Sequence, residues 1–214
     1  MLYKKGFTLA EVLITLAVIG IVAALTMPAL IGNYQKKVWV MQLRKTYNVL
    51  ANGLDMIKAD EGEDNLSDTQ FYSDRGISTV DGHIRKHFNV IKSCTSDDND
   101  CKFSDYKALN GEKPNGPPTF GSSGNYYFFL NDGSIIGMLS PTGDNLGKLI
   151  DFVVDVNGTK PPNQYGRDVF RFAYAGNKLE AWHCNGTDGA PCVTTNQGWE
   201  CAKKIIEDGW EMNY

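Results

Sequence analysis

The stretch 4–31, "KKGFTLAEVLITLAVIGIVAALTMPALI", decides how the rest of the chain is read. From Val12 to Ile31 no side chain carries a charge. About 20 such residues make roughly 30 Å of helix, the hydrocarbon thickness of a bilayer. Lys4 and Lys5 precede the run, and basic residues before a span keep the N-terminus cytoplasmic, with the remainder of the chain across the membrane. Glu11 is the exception: a carboxylate at the start of a membrane segment is costly unless paired. No Lys, Arg or His lies within the segment to pair with it. A secretory signal cut at "AALTMPALIGN" fits poorly, because the apolar run is long for a signal core and contains Glu11.

The combination of a short basic leader ending in Gly, then Phe-Thr-Leu-x-Glu, then an uninterrupted apolar run, resembles the class III signal of type IV pilins and of the pilin-like subunits (pseudopilins) of type II secretion systems. The resemblance covers about thirty residues. It implies that a membrane peptidase cuts between Gly6 and Phe7 and that Phe7 becomes an N-methylated first residue. It also implies that the Glu11 carboxylate meets the N-terminal amine of a neighbouring subunit. Pro28 falls where that family often bends its helix, and a proline there removes one backbone donor and loosens the turn before it. The implied partners are copies of the chain itself, other pilin-like subunits, a prepilin peptidase and an inner-membrane assembly platform.

Beyond Gly32 the pattern becomes amphipathic. Val40, Leu43, Tyr47, Leu50, Leu54 and Ile57 recur at intervals of three and four, the spacing of one helical face. One helix is therefore expected over about Thr8 to Lys58, ending at the Gly and acids of "ADEGEDNLSD". "DGHIRKHFNVIKSC" reads as a short helix with Ile84, Phe88 and Ile91 on one side. The period then changes to two. "YYFFLNDGSIIGML" predicts a hairpin about Asn131-Asp132-Gly133, "KLIDFVVDV" a third strand, and "DVFRFAYAGNKLEAW" two more about Gly176-Asn177. The expected fold class is α+β: a long N-terminal helix, its first half membrane-spanning, packed on an antiparallel meander of four or five strands. The lollipop shape of pilins is what the resemblance implies. The expected organisation is a cleaved leader (1–6), an apolar transmembrane and assembly helix (7–32), its amphipathic continuation (33–60) and a globular head (61–214).

The 214 residues carry a formal charge of −4, which argues against a nucleic-acid-binding surface as the main function, although DNA uptake is one of the systems that use such a signal. No HExxH, GxSxG or phosphate-binding glycine loop occurs, so no catalytic residue is assigned. His183 beside Cys184 carries no weight as a catalytic pair, since such partners meet in space. Asn65, Asn157 and Asn185 head glycosylation triplets, which mean little in a bacterium.

Five cysteines, Cys94, Cys101, Cys184, Cys192 and Cys201, follow the apolar segment and would lie in an oxidising compartment. Cys94–Cys101 closes a short acidic loop. For the other three, Cys184–Cys192 and Cys192–Cys201 both remain open, either one tying down the C-terminal segment, as the resemblance to pilins with a disulfide-bound C-terminal loop implies. Two metal readings arise. Asp155, Asn157, Asn163 and Asp168 offer oxygens of the kind Ca²⁺ takes, against the simpler reading of Asx turns at strand ends. His83 and His87 share a helical face and precede Cys94 and Cys101, but their spacing matches no familiar zinc site. No other cofactor is indicated.

Three functions follow. The first is a structural subunit polymerising into a type IV pilus or type II secretion pseudopilus. The second is a minor pilin or tip adhesin whose head binds a ligand through Trp182, Trp199 or Trp210. The third is a non-polymerising, signal-anchored periplasmic domain.

Overall fold

A computed structural model describes residues 6–74, 76–101, 103, 106–114, 120, 125–139, 150–175, 177–182 and 192–214. The element order is α1 (Leu9–Glu61), a 3₁₀ turn (Leu66–Asp68), α2 (Gln70–Ser73), α3 (Ile77–His87), a six-stranded sheet, and α4 (Cys201–Glu207). The strands are β1 (Val90–Thr95), β2 (Asn125–Leu130), β3 (Ile135–Leu139), β4 (Ile150–Asp155), β5 (Val169–Ala175) and β6 (Lys178–Ala181). All neighbours pair antiparallel in the order β1-β2-β3-β4-β5-β6, a pure meander. The chain divides into two compact units, Met1–Val38 and Trp39–Tyr214.

In the first unit α1 is apolar and exposed. Ile14, Leu16, Ile21 and Leu25 keep 60–75% of their surface, and among the described residues α1 is the one helix long and apolar enough to cross a membrane. Pro28 lies inside it.

In the second unit the predicted stripe is buried. Val40, Leu43, Leu50, Leu54 and Ile57, joined by Trp39, share one core with Phe128, Leu130, Ile136, Met138, Phe152, Val154, Phe170 and Phe172 of the sheet, and Tyr47 packs half-buried against it. Those sheet residues alternate along β2 to β5, as one face of a pleated sheet requires. The helix ends as its sequence demands. Gly62 adopts φ +71°, its N–H donates to Ala59 O, and the Glu63 N–H donates to Lys58 O, the two bonds of a Schellman cap. Gly53 is needed for packing: a Cβ there would stand 2.1 Å from the Phe88 ring.

The hairpin turn falls where expected, with Gly133 at φ +89° and Asp132 Oδ1 accepting from Ser134 N–H and Oγ at 3.0 and 2.7 Å. The β5–β6 hairpin turns between Ala175 and Lys178; Gly176 lies outside the described residues.

One expectation is corrected. The helix anticipated through Ile91 stops at His87, Phe88 takes extended dihedrals, and Val90–Thr95 becomes the edge strand β1, making six strands. Ile84 and Phe88 are buried as expected, whereas Ile91 stays 68% exposed beside a register shift between Val90 and Lys92. Pairing with β2 and the β-branched Val90-Ile91 outweigh continuation of a short helix.

Candidate functional site: the N-terminal helix start and the polar centres of the head

Thr8 and Glu11 form a reciprocal cap at the start of α1. The Thr8 N–H and hydroxyl both donate to Glu11 Oε2 at 2.8 Å, and the Glu11 N–H donates back to Thr8 Oγ1 at 3.3 Å. This is a capping box, in which a hydroxyl and a carboxylate three residues apart satisfy each other's orphan donors. Glu11, without a cationic partner in its own segment, thus has neutral intrachain donors instead. The signal for it was present, because Thr8-Leu9-Ala10-Glu11 matches the S/T-x-x-E pattern, but attention to charge pairing passed over a neutral hydroxyl. Gly6 and Phe7 precede the helix in exposed, non-helical backbone, Phe7 at 89% exposure. Both therefore lie accessible on the N-terminal side of the helix.

In the head, two disulfides are formed, Cys94–Cys101 and Cys192–Cys201. The second selects between the two expected C-terminal pairings; Cys184 lies outside the described residues. Cys201 opens α4, whose Ala202 and Ile205 enter the main core, so this bridge ties the C-terminal helix to the loop before it.

The zinc reading, already weak on spacing, gains no support. Cys94 and Cys101 are consumed as a disulfide. His83 places Nδ1 2.8 Å from Thr79 O and Nε2 3.0 Å from Glu61, while His87 Nε2 lies 2.6 Å from Asp60 without hydrogen-bond alignment. These contacts fasten α3 to the end of α1. No group of three or more His, Cys, Asp and Glu suited to a metal occurs among the described residues.

Asp155, Asn157, Asn163 and Asp168 do come together about one loop. Asp155 accepts from Tyr106 OH at 2.6 Å and Asn157 N–H at 3.1 Å. Asp168 accepts from Asn163 and Gln164 N–H at 3.0 and 2.7 Å. Both carboxylates are fully buried, and the chain's own donors occupy their oxygens, while the side-chain carbonyls of Asn157 and Asn163 have no donor. Burial, reinforced by the nearby Asp168 charge, pushes the Asp155 carboxyl up to about 8 against the opposing hydrogen bonds from Tyr106 and the loop backbone. Burial likewise raises Asp168 and Tyr106.

The tryptophans considered as ligand-binding surfaces turn inward. Arg171, itself buried, lies 3.3 Å from the Trp182 ring centroid and 5.2 Å from that of Trp199, and it pairs with Asp151 at 3.0 Å. Trp210 packs on Tyr47 and under Arg44. All three are half-buried, their faces taken by protein cations.

A long apolar N-terminal helix with a glutamate in its first turn, followed by an antiparallel meander with a disulfide-tied C-terminus, is a pilin-like α+β architecture. Residues 1–27 match the family model of the prokaryotic N-terminal methylation motif. The chain is also similar to the fimbrial protein EcpC of Eikenella corrodens, 33% identical over 78 residues. That match covers 36% of this chain and 41% of the relative, so the chain spans under half the length of the relative it matches. No solved structure matches. The motif and the fimbrial similarity bear out recognition of the chain as pilin-like.

Proposed function

We propose that the chain is a pilin-type structural subunit, made as a membrane-anchored precursor with a periplasmic head and assembled into a type IV pilus or type II secretion pseudopilus. The carrying observation is a methylation motif joined directly to a capped, membrane-length helix whose apolar surface is left uncovered. On this reading a prepilin peptidase cuts between Gly6 and Phe7, and the new amine of Phe7 is methylated.

Mechanism here means polymerisation. Apolar packing between helices holds the polymer, because once they leave the bilayer each Å² of apolar surface kept from water is worth roughly 25 cal/mol. Glu11 supplies register: bonded to Thr8 within its own chain, its carboxylate retains acceptor capacity for the amine of a neighbour. An ion pair made between chains in a low-dielectric surrounding penalises an unpaired subunit and rewards one docked at the correct axial position. Motif and similarity alike point to a structural role rather than catalysis.

Mass spectrometry of the mature N-terminus tests the reading. It predicts a chain beginning at N-methylated Phe7; a retained Met1, or a cut beyond Ala24, would favour a signal-anchored domain instead.

A further inference from the structure

A crevice of about 620 Å³ opens on the head between two loops, with Tyr106, Lys107 and Lys113 on one side and Thr159, Pro161 and Asn163 on the other. Its walls are fixed by backbone bonds: Lys107 N–H donates to Asn163 O, and Tyr165 N–H donates to Lys107 O, both at 2.9 Å. Lys107 and Lys113 are exposed and line it together with Glu112. Neither lysine has an ion-pair partner among the described residues, whereas Lys45, Lys58, Lys86, Lys178, Lys203 and Lys204 all do. The carboxylate beside them, Glu112, accepts from Asn110 of its own loop. In a chain of net charge −4, a crevice whose two unpaired lysines outnumber its one carboxylate is suited to an anion from outside.

The same molecule carries an anion in need of a cation. Glu63 and Asp64 follow the Schellman cap of α1 directly, at the negative end of a 53-residue helix, where carboxylates are disfavoured. Both are exposed, and neither side chain has a partner among the described residues. The neighbouring cations are taken, Lys58 by Asp55 and Asn177, Lys86 by Asp60.

We propose that the crevice at Lys107 and Lys113 receives the Glu63–Asp64 turn of a second copy of this chain. The contact is heterologous, one surface meeting a different one, so it repeats without closing on itself and suits a filament. It rests on the polymer-subunit reading above and adds the head-to-head contact that reading leaves open. Exposed ion pairs are individually weak and salt-screened, so their work is to select orientation and register while the apolar helices hold the polymer.

Charge reversal and exchange in the full-length chain, in the cell that produces it, test the contact. Lys107→Glu with Lys113→Glu should lower filament yield about tenfold, and Glu63→Lys with Asp64→Lys should do the same. Combining all four should restore yield to within about twofold of the unaltered chain, which also shows that the altered heads fold. Normal filaments from either double variant overturn the contact. So does loss without restoration, which would assign the crevice to another anion, such as a nucleic acid or an acidic polysaccharide. If the unaltered chain is cleaved at Gly6–Phe7 yet forms no filament, the polymer reading itself fails and this contact fails with it.

Discussion

Helix α1 passes through two surroundings, and its two stretches make an instructive pair. Before Val38 its Leu, Ile and Val side chains are exposed all round; after Trp39 a similar set forms one stripe, buried against the sheet to 0% exposure at Leu43, Leu50, Leu54 and Ile57. The difference lies in periodicity. A helix apolar on every side has no solvated face and must be covered by lipid or other helices, whereas an apolar stripe needs only one covering surface and finds it within its own chain. The first stretch is thus built for partners outside the molecule, and the second is satisfied from within.

That contrast is most sharply tested at Glu11. Glu11→Ala should leave membrane insertion intact, since it removes the one charge in the segment, and should reduce filaments to trace amounts if the carboxylate sets register. Filaments in normal number, seen by electron microscopy of sheared surface material, would leave the first stretch as an ordinary anchor. The second stretch should respond to packing alone. Leu54→Ala should cost about 2–5 kcal/mol, and Gly53→Val should cost at least as much, because its side chain must displace Phe88. Both should lower the thermal midpoint of the head without altering cleavage at Gly6. A variant that unfolds the head and also blocks processing would show the two regions to be coupled.

A smaller effect concerns pH. Asp155 titrates near 8 in the folded head and near 3.9 when unfolded, so between those values the native state binds the extra proton. Stability therefore falls as pH rises from about 4 towards 8, by at most about 1.4 kcal/mol per pH unit from this group, and levels off above. Asp60, Asp74 and Asp132 are held low, Asp60 and Asp132 by lysine partners among other contacts and Asp74 by hydrogen bonds from Thr79 and Gly76; their contribution is lost instead on acidification below about pH 4. Melting curves should then peak near pH 4, and Asp155→Asn should flatten the limb between pH 4 and 8. An unchanged limb in that variant would assign the pH dependence elsewhere.

Much of this was legible in the chain. The methylation motif, the membrane-length apolar helix, the amphipathic stripe and the β2–β3 hairpin are local patterns, each fixed by spacing within a few turns or a few strand residues. The exit from α3 was not legible, because "HFNVIKSC" suits either a helical face or an edge strand, and only a waiting β2 edge decides between them. Cys192 had two eligible partners at comparable separation, and the packing of α4 against the core chose Cys201. The tryptophans looked available because nothing in the sequence announces that Arg171, on a strand, would lie under Trp182 and Trp199.

By itself the sequence determined that this protein has an apolar, glutamate-bearing N-terminal helix and an antiparallel head, since hydrophobic periodicity and turn chemistry act over short range. Only the tertiary structure decided which polar groups are spent inside the molecule and which remain for others. Hydrogen bonds and ion pairs such as Tyr106–Asp155 and Arg171–Asp151 join residues 49 and 20 positions apart, and such pairings exist only once the meander has brought the strands and loops together.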